Sequence, residues 1–191
     1  MNILFCSGEV YPFSKTGGLA DVAASLPKAL NRLGHNVKVI TPLYQQIKNQ
    51  NHDIRLLGTS TIKMGNDEKQ VTFYELNYEN VSYIFVDNDV FFNRKKLYGY
   101  EDDADRFTFF NFSIFEYIKV SDKYPDIIHV NDWQTGMIPY FLDTRYRQQN
   151  AGFLESKPYY PSTILKNKDL IRLKQKKYSV IKILLIYTWI E

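Results

Sequence analysis

Ser14-Lys15-Thr16-Gly17-Gly18-Leu19 places a cation, a hydroxyl and two residues without a Cβ within six positions. Glycines let the backbone approach a ligand, a helix N-terminus offers unpaired N–H groups to an anion, and a lysine adds a mobile point charge suited to phosphate. The order is neither G-x-x-x-x-G-K-[ST] nor G-x-G-x-x-G, so neither the P-loop nor the standard dinucleotide fingerprint is present. On these residues alone, a Gly-Gly pair ahead of a helix serves turn geometry as readily as phosphate binding. Asp21, three residues on, complements the positive end of a helix. Asp132 follows the apolar run Ile127-Ile128-His129-Val130. His129 itself reads as a satisfied histidine at a strand end, and Trp133 as a packing residue. Asp87-Asn88-Asp89 and Asp103-Ala104-Asp105 are D-x-D patterns that could hold a divalent cation through hard oxygen ligands. Three-residue patterns of this kind also arise by chance in a chain with 21 acids.

The elements that must position these groups alternate. Ile3 to Cys6 is a short apolar run ending at Ser7-Gly8, the mark of a buried strand. From Leu19, apolar residues recur at helical spacing (Val22, Ala23, Leu26, Ala29, Leu30, Leu33), and Gly34 stands where a left-handed glycine ends a helix. Pro27 inside that span predicts a kink. Val37 to Thr41 is a second strand, stopped by Pro42. Strand, helix, strand implies a parallel sheet with right-handed crossovers. Ile54 to Lys63 and Gln70 to Leu76 flank Gly65-Asn66-Asp67, which is hairpin chemistry. Val81 to Val86 reads as a strand, Arg106 to Lys119 as a helix, Ile127 to Val130 as a strand and Gly136 to Tyr146 as a helix. The expected architecture is a doubly wound α/β domain with a hairpin inserted after its second strand. Its ligand then sits outside the carboxyl ends of the strands, where the Lys15 loop must lie.

Length and composition bound the rest. The 191 residues, 45% hydrophobic and 24% charged, suit an ordinary globular protein of one domain or slightly more. A single cysteine, Cys6, excludes an internal disulfide framework and any zinc site built on several thiolates. The N-terminus lacks the basic and apolar regions of a signal peptide. Val180 to Ile190 is too short, and interrupted by Lys182, for a membrane span. A cytoplasmic protein without membrane contact is expected. Charge is uneven: residues 156–191 hold eight Lys or Arg against Asp169 and Glu191, while the preceding residues are net acidic. Such a basic segment can contact nucleic acid, but no aromatic-interleaved platform or known motif accompanies it, so no nucleic-acid partner is expected.

Glu9-Val10-Tyr11-Pro12-Phe13 followed by Lys15-Thr16-Gly17-Gly18-Leu19-Ala20-Asp21-Val22 resembles the N-terminal signature of bacterial glycogen synthases and plant starch synthases. The resemblance continues through Leu26-Pro27-Lys28-Ala29-Leu30, Gly34-His35-Asn36-Val37, Pro42-Leu43-Tyr44, Tyr98-Gly99-Tyr100, Asp102-Asp103, Arg106-Phe107 and His129-Val130-Asn131-Asp132-Trp133-Gln134-Thr135-Gly136, and so to about Tyr146. It implies retaining transfer of glucose from ADP-glucose to the non-reducing end of an α-1,4-glucan, without cofactor or metal. The implied fold is GT-B, two Rossmann-like domains facing across a cleft. Carried over by position, Asp21 and Asp132 are the implied catalytic acids. Lys15 is implied at the sugar-nucleotide phosphate, with Thr16, Gly17, Gly18 and Tyr98 in the substrate-binding set. Many relatives carry His where Asn131 stands.

The resemblance implies an incomplete N-terminal domain over 1–150. Beyond it the family continues with a Thr-Ile-His-Asn-Leu-type strand and a second, nucleotide-gripping domain, neither of which follows here. Residues 151–191 instead read as a divergent basic tail, glycine-free from 156 on and rich in Lys, Ile, Leu and Tyr, as an AT-rich gene read out of frame would give. Two expectations result: an inactive fragment of the transferase, with an unpaired parallel strand edge at or near His129-Val130, or alternatively a non-catalytic module binding glucan or nucleotide sugar.

Overall fold

The computed structural model describes residues 1–160. Seven strands form one sheet in the order β3-β4-β5-β2-β1-β6-β7. β1 (Asn2–Cys6) and β2 (Asn36–Pro42) are parallel and joined by α1 (Leu19–Arg32). After the one-turn helix α2 (Gln45–Lys48), β3 (Arg55–Met64), β4 (Asp67–Tyr78) and β5 (Val81–Asp87) form an antiparallel meander. Its last strand, β5, lies parallel beside β2. The short α3 (Asp89–Phe92) and the long α4 (Asp103–Ser121) then lead to β6 (Ile127–Val130), parallel to β1 on its other side. A 3₁₀ turn at Trp133–Thr135, α5 (Ile138–Phe141) and a wider turn at Leu142–Tyr146 precede β7 (Lys157–Tyr159).

The inserted hairpin is thus part of the main sheet. Gly65, at φ +63, opens the two-residue turn between β3 and β4. The turn from β4 to β5 has Glu79 and Asn80 both at positive φ, the sign pattern of a type I′ hairpin. α1 braces that turn, with Lys28 paired to Glu79 and Asn31 Nδ2 donating to the Asn80 carbonyl at 3.1 Å. β1 and β5 are buried along nearly their whole length, as strands covered on both faces must be.

The buried stripe of α1 is Ala20, Ala23, Ala24 and Pro27, while Val22 and Leu33 face outward. Small side chains bring the helix close to the sheet, and the larger apolar residues taken from the periodicity line its flanks or lie exposed. The helix runs through Pro27 to Arg32, with Pro27 itself buried. α4 begins three residues before its expected start, because Asp103 bonds both Gly99 N and the buried Arg106 and so closes the first turn.

The expected open edge is displaced by one strand. β6 is not an open edge: β7 pairs with it in parallel, Ile127 opposite Lys157 and His129 opposite Tyr159. Lys157 Nα–H donates to the Asp126 carbonyl at 3.0 Å, Ser156 Oγ donates to the Pro125 carbonyl at 2.7 Å, and the Tyr159 ring lies 4.8 Å from His129. A three-residue strand from the segment read as tail therefore covers the apolar edge, which passes to β7 among the described residues. Val180 to Ile190, a candidate surrogate strand by composition, lies outside them. Among the described residues no helix is long and apolar enough to cross a membrane.

Candidate functional site

Consecutive parallel strands run one way from β1 through β2 to β5 and the other way from β1 to β6, so the order reverses between β1 and β6. In open α/β sheets the ligand-binding crevice lies at such a switch point, outside the carboxyl ends of the strands. The loop after β1 (residues 7–18) and the loop after β6 (residues 131–136) form its sides.

The first loop is held from beneath. Glu9 is buried, and its carboxylate accepts from Thr16 N at 2.6 Å, Thr16 Oγ1 at 2.5 Å and Gly17 N at 3.2 Å. Ser14 N donates to the Val10 carbonyl at 2.8 Å, and the buried Tyr44 hydroxyl donates to the Gly8 carbonyl at 2.8 Å. Lys15, Thr16, Gly17 and Gly18 are all exposed at the rim. Thr16 Oγ1 also lies 2.6 Å from the Tyr98 hydroxyl, which brings the last of the expected binding residues to the loop across 82 positions of sequence. The Thr16 and Gly17 amides are thus already engaged by an internal carboxylate, and Lys15 is left as the loop's cation.

Lys15 Nζ sits 2.7 and 2.8 Å from the two Asp21 oxygens, with both side chains about half exposed. An exposed pair of this kind is worth roughly 0.2–1 kcal/mol, little enough for an incoming phosphate to take the lysine.

Tyr98 is fixed from its other side by a buried cation. Arg106 is fully buried and donates to the carbonyls of Phe91 at 2.7 Å and Leu97 at 3.1 Å and to Asp103 Oδ1 at 2.5 Å. It thereby ties the segment carrying Tyr98 to α3 and the head of α4. The Tyr98 ring meets Trp133 edge-on at 6.1 Å, and Trp133 packs on Phe107 at 4.8 Å.

Asp132 occupies φ +60, ψ 178, a backbone region populated almost only by glycine, where another residue costs about 1–3 kcal/mol. Its Oδ1 accepts from Trp133 N at 2.8 Å. The surroundings fix this corner. Asn131 Nδ2 donates to the Cys6 carbonyl at 2.9 Å, and Thr135 Oγ1 bridges the N–H and carbonyl of Asn131, at 2.7 Å each. Gln134 is buried against Gly8, so closely that a Cβ there would lie 2.9 Å from its side chain. His129 is buried and stacked on Phe5 at 4.4 Å, and burial pushes its imidazole down to about 4. It is a neutral packing residue beneath Asp132, not a base.

The D-x-D at the end of β5 is otherwise occupied. Lys48 Nζ bridges Asp87 and Asp89 at 2.8 and 2.7 Å. Burial holds the Asp87 carboxyl up, while the lysine holds Asp89 down. A groove of about 200 Å³ lined by Asn2, Lys38, Tyr117 and Lys123 lies at the other end of the sheet, away from the crevice.

Sequence reasoning missed Glu9, Gln134 and Arg106 as the residues that hold the site. For Glu9 the available signal was a carboxylate between Gly8 and Val10, just after an apolar strand.

A family profile described as "Starch synthase catalytic domain" matches residues 2–159. A glycogen synthase of Acholeplasma laidlawii is 54% identical over 153 residues, covering 80% of this chain and 32% of that protein. One of Clostridium botulinum (strain Alaska E43 / Type E3) is 40% identical over 161 residues, covering 84% and 34%. Among solved structures, the catalytic domain of starch synthase IV from Arabidopsis thaliana, bound to ADP and acarbose, is similar with a TM-score of 0.69 and 29% identity, covering 83% of this chain and 33% of that one. The chain thus spans about a third of the length of the relatives it matches.

Proposed function

The chain belongs to the starch synthase catalytic domain family, and from that membership we propose that it forms one wall of a glucosyltransferase cleft. The reaction is retaining transfer of glucose from ADP-glucose to the non-reducing end of an α-1,4-glucan. The observation that carries this reading is the meeting of three segments near the carboxyl ends of β1 and β6: Thr16 touches the Tyr98 hydroxyl, and the Tyr98 ring touches Trp133, the neighbour of Asp132.

Each group has a task its geometry suits. Lys15, released from Asp21, neutralises charge on the departing diphosphate, and the freed Asp21 carboxylate accepts from sugar hydroxyls. Preorganised charge aimed at a leaving group is commonly the largest single contribution to such catalysis. Gly17 and Gly18 lack side chains that would keep the ligand from the rim. Asp132, held rigidly at the corner, accepts from glucose hydroxyls or supports positive charge at the anomeric carbon. The chain spans about a third of its relatives' length, and in this reading these residues hold one wall of the cleft and do not transfer glucose by themselves. The family match runs through residue 159, so the N-terminal domain in this reading takes in β7 as well as residues 1–150.

The test is genetic and enzymatic. The nucleotide sequence beyond codon 147, translated in all three frames, should encode a Thr-Ile-His-Asn-like strand and a second domain. The chain with that frame restored should transfer glucose from ADP-glucose, and the 191-residue chain should not. If the restored protein binds glucan without transfer, the non-catalytic binding module is the better account.

A further inference from the structure

We infer that Glu9 is the positioning residue of the Lys15–Gly18 loop, and that through Thr16 it orients Tyr98 to accept a hydrogen bond from a sugar hydroxyl. This rests on the proposed cleft and adds to it the class of group that Tyr98 reads.

Thr16 has one hydroxyl proton and two oxygen partners, Glu9 Oε2 at 2.5 Å and the Tyr98 hydroxyl at 2.6 Å. A carboxylate accepts and does not donate, and Glu9 already takes the N–H groups of Thr16 and Gly17. The Thr16 proton therefore goes to Glu9, and the contact to Tyr98 is completed by the tyrosine proton. The chain of donation runs Tyr98 to Thr16 to Glu9. With its proton committed, the phenol presents only lone-pair density to the crevice. A phosphate oxygen, itself an acceptor, is repelled there, whereas a sugar hydroxyl can donate. Lys15 remains the phosphate contact, so the phosphate and sugar ends of a nucleotide sugar are told apart by donor and acceptor sense.

Glu9 acts through others. It is buried near the start of the strand-to-helix loop after β1, while Tyr98 comes from the segment after α3. Thr16 is the link between them. Its anchoring replaces what an open loop would otherwise lose in freedom on binding, which is how a group remote from the ligand raises affinity.

Two measurements on the 191-residue chain test this. The first needs no ligand: amide hydrogen exchange by NMR. In the wild type the Thr16 and Gly17 amides should exchange slowly, and in Glu9→Gln, which removes one acceptor oxygen, at least one should exchange tenfold faster or more while core strand amides stay protected. Unchanged protection at both overturns the role of Glu9, whatever the chain's function. The second is calorimetric titration of Tyr98→Phe, a half-exposed position whose replacement keeps the ring. Acarbose affinity should fall about three- to tenfold, the usual effect of losing one neutral hydrogen bond, and ADP affinity by less than twofold. ADP weakened as much as acarbose overturns the acceptor assignment. A wild-type chain that binds neither ligand, yet shows the exchange pattern, counts against the proposed cleft and upholds Glu9 as the anchor of the loop.

Discussion

Replacing Asp132 by glycine is expected to stabilise the fold while removing the carboxylate that the crevice is built to display. The residue sits at φ +60, ψ 178, where a side chain costs about 1–3 kcal/mol. Glycine relieves that strain. Against it stand the greater freedom of glycine in the unfolded chain, about 0.4–1 kcal/mol, and the lost bond from Trp133 N to Oδ1, for which glycine in a cap position forfeits a few tenths. The balance lies between roughly zero and 2 kcal/mol in favour of the glycine variant, from the same contributions. Alanine keeps the strain and loses the bond, so Asp132→Ala should be less stable than wild type by about 0.5–2 kcal/mol. For a chain of this size each kcal/mol moves the melting temperature by about 2–4 °C. Calorimetry or a urea melt of the three proteins gives the order glycine, wild type, alanine, and in a frame-restored enzyme both substitutions should abolish or sharply reduce transfer. A glycine variant no more stable than the alanine variant would show that the backbone at 132 is not strained and that its conformation is not maintained for function.

Gly8→Ala should destabilise by about 1–3 kcal/mol, because the new Cβ lies 2.9 Å from the buried Gln134 side chain; adding Gln134→Ala should recover part of the loss in a double-mutant melt. Stability should also fall with acid through His129. Its imidazole titrates near 4 when folded against about 6.5 when unfolded, so the unfolded chain binds the extra proton between these values. The contribution, about 3 kcal/mol, is fully present above pH 6.5 and is lost as pH falls towards 4. Melting temperatures at pH 7 and 4.5 should converge in His129→Gln relative to wild type.

Most of the fold was legible because it rests on short-range pattern. Ile127 to Val130 is a strand at its expected limits, and the Gly34 stop and the Gly65 turn are at their expected places, with positive φ at both glycines. The buried stripe of α1 was misread because periodicity ranks residues by size, whereas close helix-to-sheet contact selects alanine. β7 escaped notice because three residues containing Pro158 carry no strand signal of their own; pairing with β6 makes them a strand. The site residues Lys15, Thr16, Tyr98 and Asp132 were marked by type and motif. What holds them was not, since the contacts of Glu9 with Thr16, Thr16 with Tyr98, and Gln134 with Gly8 exist only once distant segments meet.

The central claim is that a nucleotide sugar binds at the crevice between β1 and β6 with Lys15 on its phosphates. Titrating the ¹⁵N-labelled chain with ADP-glucose tests it most directly. The largest amide shifts should fall at residues 15–18 and 131–133, and Lys15→Ala should weaken binding roughly ten- to a hundredfold, with Lys15→Arg weakened less. Shifts centred on the groove around Lys38 and Lys123, or wild-type affinity in Lys15→Ala, would contradict the account.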